Sequence, residues 1–258
     1  MLRYNHAVIE RKWRRIWQEE QYFSQEDAQV CTVLVPGDSG ELGMENARLL
    51  VLTDFFASVY FGKKVPISVC GGQERWFKEI NTLGLFSQAR ASDAGYELAV
   101  LPRDYVRAMG ELRARDTLYC GRLLRTESMR DLLPDFGVDA LRIYFLYIGP
   151  LARDYVFQWH GLAGAYRFVT KLWQLGHGSL GEPNGGFAEP EHLGDLRLKV
   201  QERILQRKPH TALAAIMGYI KNKSMLTRVE ARVMATLLQP FTPFLSAELL
   251  QLMASIED

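Results

Sequence analysis

Apolar positions along this chain recur at helical spacing near its start, cluster in short β-branched runs through its first half, and return to helical spacing through its second half. From about residue 5 to 21, Ile9, Trp13, Ile16 and Trp17 share one stripe, with Arg11, Lys12, Arg14 and Arg15 around it; this predicts an amphipathic helix capped by Asn5. The runs at 30–35 and 65–70 suit buried parallel strands. Between them a Gly-rich segment, 36–46, leads into a helix to about residue 60 with Leu50, Val51, Phe55 and Val59 inward. A strand-to-helix turn of this kind leaves backbone N–H groups and the helix dipole facing an anion or a carbonyl. Residues 96–101 read as another strand and 103–109 as a short helix.

The pattern changes at 136–175, FGVDALRIYFLYIGPLARDYVFQWHGLAGAYRFVTKLWQL. A helix opens around Asp139 with Leu141, Phe145 and Ile148 on one stripe and breaks at Gly149 and Pro150. A second helix then carries Tyr166, Phe168, Leu172 and Trp173. A Gly- and Pro-rich loop is expected at 176–194, helices at about 196–207, 211–223 and 229–238, and a last one after Pro243. The expected fold is therefore α/β, a parallel-sheet domain over 1–150 followed by an all-α helical bundle over 151–258.

Composition narrows the class. At 258 residues and 48% hydrophobic the chain is long enough to bury substantial cores. With 31 basic and 30 acidic residues the net charge is +1, so any RNA contact must come from local patches. Cys31, Cys70 and Cys120 form no CxxC pair, so no metal site is expected, and free thiols suit a reducing cytoplasm. No apolar run reaches the length of a membrane span, and the N-terminal helix is charged, unlike a signal peptide; a soluble, cytoplasmic protein is expected.

The wording of the central stretch, FGVDALRIYFLYIGP followed by DYVFQW and GAYRFVTKLW, resembles the class I aminoacyl-tRNA synthetases of the leucyl-type branch just after their KMSKS loop. YNHAVIERKWRRIW at the start, TALAAIMGYI at 211–220 and LLQPFTPFLSAEL near the end resemble the same family, in the same order. The resemblance implies a minimal class I Rossmann-like catalytic domain followed by a tRNA-binding bundle. It also implies that the editing insertion and the C-terminal tRNA-gripping module are lacking. Where the family has its HIGH motif, this chain reads Gly43, Met44, Glu45, Asn46, with both histidines absent. Gly71, Gly72, Glu74 and Arg75 resemble the GGxEH segment, whose Glu holds the adenosine ribose, with Arg75 at the His position. Within 121–128, Arg122 and Arg125 keep the spacing of the two KMSKS lysines.

These departures argue against ATP-dependent activation of leucine. They resemble small leucyl-synthetase-like proteins that move leucine from leucyl-tRNA to an amine of a blasticidin-type nucleoside in antibiotic pathways. The resemblance then implies an aminoacyltransferase with leucyl-tRNA as donor, a small amine-bearing acceptor and no cofactor. Backbone groups of Val35, Pro36 and Gly37 would hold the aminoacyl group, amides from Gly43 to Asn46 would cradle the oxyanion, and Glu74 would hold the terminal ribose. Asp38, Glu45 and Asp54 would be amine anchors or bases. Arg122 and Arg125 would contact the terminal phosphates, and Lys221 and Lys223 tRNA phosphates elsewhere. An ATP-dependent adenylating ligase and a non-catalytic tRNA- or synthetase-binding module remain as alternatives. A plain dinucleotide or P-loop protein is disfavoured by the absence of GxGxxG and GxxxxGK[ST].

Overall fold

The computed structural model of the protein describes residues 3–19, 29–35, 41–71, 76–85, 87–89, 95–104, 112–181 and 190–256. Five strands form one parallel sheet: β1 (Val30–Val33), β2 (Ile67–Cys70), β3 (Ser87–Ala89), β4 (Tyr96–Pro102) and β5 (Ala114–Cys120), in the order β3-β2-β1-β4-β5. β1 is central, with Val30 opposite Ile67 on one side and Leu98 on the other, and all four of its residues are buried. Its one polar member, Thr32, donates its hydroxyl to the Val100 carbonyl at 2.8 Å, which removes the cost of burying it.

Helix α2 (Met44–Phe61) follows β1, and α3 (Trp76–Thr82) follows β2. α2 is buried on nearly every side from Met44 to Ala57; most of its buried side chains are apolar, but Asn46, Arg48, Thr53 and Asp54 are buried with them. It ends at Gly62, whose φ of 66° is the left-handed turn that favours glycine, and only 62–66 separate it from β2. The expected Rossmann-like parallel sheet followed by helices is what the chain forms. The strand order reverses between β1 and β4, and in open sheets of this kind the crevice at the carboxyl ends of those two strands is where ligands bind.

Two strands of the sheet were not foreseen, nor was a separate two-stranded pair. β5 reads ARDTLYC and stands at the sheet edge, half-exposed, so it lacks the apolar run that marks a buried strand. β3 is three residues long. Arg103 and Asp104 lie in a turn, and the rest of the helix expected at 103–109 falls outside the described residues. The 121–128 segment contains a strand, β6 (Leu123–Leu124), paired in parallel with β7 (Tyr155–Val156).

The chain divides into two compact units. One comprises Ile16–Val138 and Leu151–Gln158 and holds the sheet; the other comprises Met1–Arg15, Asp139–Pro150 and Trp159–Asp258 and is helical. Helix α1 (His6–Glu19) begins in the helical unit, where the Asn5 side chain accepts from the Val8 amide as the cap predicts. Helix α4 (Met129–Tyr147) is broken at Gly137, whose φ of 74° is not helical; the part after the break is the helix expected around Asp139, preceded by a helical segment that was not expected, and from Asp139 on it belongs to the helical unit. The unit is completed by α5 (Trp159–Gly178), α6 (Glu191–Leu205), α7 (Pro209–Ile220), α8 (Arg228–Leu238) and α9 (Pro243–Ala254).

The loop expected at 176–194 is shorter than predicted. α5 runs on through Gly176, where the missing side chain admits Leu249, whose Cδ1 would lie 2.8 Å from an added Cβ, and α6 already begins at Glu191. Asp139 accepts the Leu245 amide at 2.7 Å and the Phe244 amide at 3.4 Å, while Arg142 donates to the Pro240 and Phe241 carbonyls at 2.7 and 3.3 Å. No described helix is long and apolar enough to cross a membrane.

Candidate functional site

At the carboxyl end of β1 the chain continues through Leu34, whose amide donates to the Cys70 carbonyl at 2.9 Å, to Val35. Asn46, one turn into α2, binds Val35 reciprocally: its Oδ1 accepts from the Val35 amide at 2.8 Å and its Nδ2 donates to the Val35 carbonyl at 2.9 Å. The buried Asn46 side chain thereby fastens the strand end to the helix start, and the Val35 carbonyl keeps one lone pair. Gly43 is the N-cap without a side-chain cap, so first-turn amides of α2 retain donors that no intrahelical carbonyl takes. Gly71, at φ 77°, follows β2; an added Cβ would lie 3.1 Å from the Leu34 carbonyl, so glycine here allows the two strand ends to approach.

The structure brings Glu45 and Arg122 together. Arg122 Nε lies 3.4 Å from Glu45 Oε1, and the two side chains are 53% and 23% exposed. The Arg122 amide also donates to Asp154 Oδ1 at 2.8 Å, and Asp154 Oδ2 accepts from Arg103, just past β4, at 2.8 Å. Those two bonds, the Arg122 amide first and Arg103 second, hold the Asp154 carboxyl below its ordinary range. Two ion pairs, Arg103–Asp154 and Arg122–Glu45, are thus joined through the Arg122 backbone amide and link the end of β4 to the first turn of α2. Nearby, Glu41 pairs with Arg130 at 2.9 Å and accepts from the Ser128 hydroxyl at 3.1 Å. Basic groups at this rim are matched by carboxylates.

Arg125 is exposed and takes a left-handed φ of 53° at the end of β6. Asp54 is buried ten residues beyond Met44, about 15 Å along α2 at the usual rise, and is not brought to the strand ends. Pro36, Gly37, Asp38, Gly72, Glu74 and Arg75 lie outside the described residues. Arg103 and Asp154 carried no expected role; Asp154 stood in the DYVFQW wording, but its partners are 32 and 51 residues away in sequence. Burial pushes the Cys120 thiol up despite the nearby Arg48, so Cys120 is not poised as a thiolate.

In the helical unit, Lys223 donates to Glu230 at 2.7 Å and lies 5.0 Å from the Tyr219 ring centre. Lys221 is exposed, and its carbonyl accepts Lys171 Nζ at 2.7 Å. Arg167, Lys171 and Lys223, with Thr170 and Ser224, line a cleft of about 420 Å³. Three basic side chains are thus gathered at one place in the helical unit.

No protein-family model matches the chain. The leucine–tRNA ligase of Borreliella burgdorferi (strain ZS7) is 29% identical over 124 residues, which are 46% of this chain and 14% of that protein. That of Borrelia hermsii (strain HS1 / DAH) is 29% identical over 126 residues, 48% of this chain and 15% of that protein. Among solved structures, the Agrobacterium radiobacter K84 agnB2 LeuRS-tRNA-LeuAMS ternary complex aligns with TM-score 0.49 and 18% identity over 62% of this chain and 28% of that one. Mycobacterium tuberculosis methionyl-tRNA synthetase in complex with methionyl-adenylate aligns with TM-score 0.47 and 19% identity over 60% and 43%. The chain is thus similar to leucine–tRNA ligases over just under half its own length, and the match spans about a seventh of theirs.

Proposed function

We propose that the protein is a tRNA-dependent aminoacyltransferase that moves leucine from leucyl-tRNA to an amine of a small acceptor. The observation that carries this reading is the Glu45–Arg122 pair, at positions where the resembled family places ATP-handling groups. Adenylation needs donors around triphosphate oxygens, and loss of one transition-state donor typically costs about 2.7–4 kcal/mol. Here the first turn of α2 presents a carboxylate, and the Arg122 guanidinium already faces Glu45 while its backbone amide is taken by Asp154. An ester already activated on tRNA needs only positioning, a proton acceptor and oxyanion donors.

In this reading the acceptor nitrogen attacks the ester carbonyl carbon and gives a proton to a carboxylate. The carbon–oxygen bond to the terminal ribose breaks, the ribose oxygen takes a proton, and an amide remains. First-turn amides of α2 stabilise the oxyanion; the free lone pair of Val35, with Pro36 and Gly37, holds the aminoacyl group. Glu45 is the proton acceptor, and Asp38 is a second anchor for the amine. Gly71, Gly72, Glu74 and Arg75 take the terminal ribose. Arg122 and Arg125 take the terminal phosphates, and Lys221 and Lys223 take phosphates along the helical unit. An exposed pair such as Glu45–Arg122 is worth at most about 1 kcal/mol, so an arriving phosphate can draw Arg122 away and free the carboxylate.

The reading predicts no leucine-dependent exchange of pyrophosphate into ATP by the pure protein. Exchange above background would replace it with an adenylating ligase.

A further inference from the structure

We infer that Arg48 is a positioning residue that holds the β6–β7 ribbon, and with it Arg122, against the first turn of α2. This goes beyond the proposed transfer reaction and does not depend on it. Arg48 lies one turn past Glu45 on α2 and is 1% exposed. Its Nη1 donates to the Gly121 carbonyl at 2.7 Å, its Nη2 to the Leu151 carbonyl at 3.4 Å, and its guanidinium lies 5.5 Å from the Tyr155 ring centre. No carboxylate among the described residues pairs with it, and its Nε is buried without a described partner.

An arginine cannot shed its charge, and burying one without a counter-ion is costly, so a purely structural position would be better filled by an apolar side chain. What Arg48 alone supplies is a rigid fork reaching two chain segments at once. Gly121 lies two residues before β6 and Leu151 four residues before β7, in the segments that lead into the ribbon. Between those segments the Gly121 amide donates to Leu151, the Tyr155 amide to Arg122 and the Phe157 amide to Leu124, each at 2.9 Å. Gly121 leaves no room for slack, because an added Cβ would lie 2.2 Å from the Arg153 carbonyl oxygen. Arg122 is the next residue, and its reach to Glu45 follows from where Gly121 is held.

The test is native-state hydrogen exchange on the full chain without any ligand, comparing the wild type with Arg48→Met and Arg48→Lys. The expected result for Arg48→Met is at least ten-fold faster exchange at the Gly121, Tyr155 and Phe157 amides, with Leu34 and the β1–β4 ladder unchanged. Arg48→Lys, which reaches one carbonyl at a time, should fall between. If Arg48→Met does not fold, the lysine variant is read in the same way. Uniform acceleration across the sheet, no change at the ribbon, or loss of the fold in both variants would each overturn the proposal, leaving Arg48 as ordinary core. None of these outcomes depends on whether leucyl transfer occurs.

Discussion

Asp139 is wholly buried, and its surroundings make folding stability depend on pH with a sign opposite to that of most carboxylates. Burial pushes its carboxyl up from 3.8 to about 7, the Leu245 amide opposes, Glu10 adds to the rise, and Arg142 and the Phe244 amide oppose further. Between those two values the folded chain binds a proton that the unfolded chain has released, so stability is fully present below about 4 and falls as pH rises through 7. At about 1.36 kcal/mol per pH unit, the interval corresponds to a loss of roughly 4 kcal/mol. Asp139→Asn keeps an acceptor oxygen for the Leu245 amide and removes the titration. The variant should therefore gain on the wild type by about 3–4 kcal/mol between pH 4.5 and 8. Urea unfolding of both proteins across that range, followed by far-UV circular dichroism, measures the difference. A gap that stays constant with pH would refute the reasoning, because it would mean that the α9 amides and Arg142 fully compensate the buried charge.

Further predictions concern the helical unit and the sheet unit. Burial pushes Glu230 up, but bonds from Lys223, Tyr219 and the Thr227 amide outweigh it and hold the carboxyl at about 2, so its contribution is present above 4.5 and is lost as pH falls toward 2. Glu230→Ala should cost about 2–3 kcal/mol at neutral pH by urea unfolding and less than that near pH 2. Gly121→Ala places a methyl against the Arg153 carbonyl and should cost about 2–3 kcal/mol, read as a lower unfolding midpoint. Asn46→Ala leaves both backbone groups of Val35 unpaired and should cost about 1–3 kcal/mol. Asn46→Asp should be no better, since a carboxylate would face the Val35 carbonyl; a neutral effect of that variant would remove the pinning role.

The parts of the fold legible in the sequence were those where burial writes a period: β1, β2, β4, α2 and the helices after Trp159. FGVDALR and LLQPFTPFL, about a hundred residues apart, are physical partners, since Asp139 and Arg142 bind the backbone of 240–245. β5 was not legible because an edge strand carries Arg115, Asp116 and Thr117 where a central strand would carry aliphatics. At the site, Glu45 and Arg122 could be singled out separately, but their contact spans 77 residues and follows from the ribbon geometry, which no local pattern encodes. Arg48 was invisible for the opposite reason. One arginine inside an apolar helix reads as a surface position until its neighbours are known.

The central claim is that the protein spends an ester made elsewhere. Its most direct test is incubation of the pure protein with tRNA carrying labelled leucine, with ATP excluded and a panel of amine-bearing nucleosides supplied. Label moving onto a nucleoside, and slowed in Glu45→Gln, is the predicted result. Label remaining on the tRNA, together with a conjugate that forms only when ATP and free leucine are added, would contradict it.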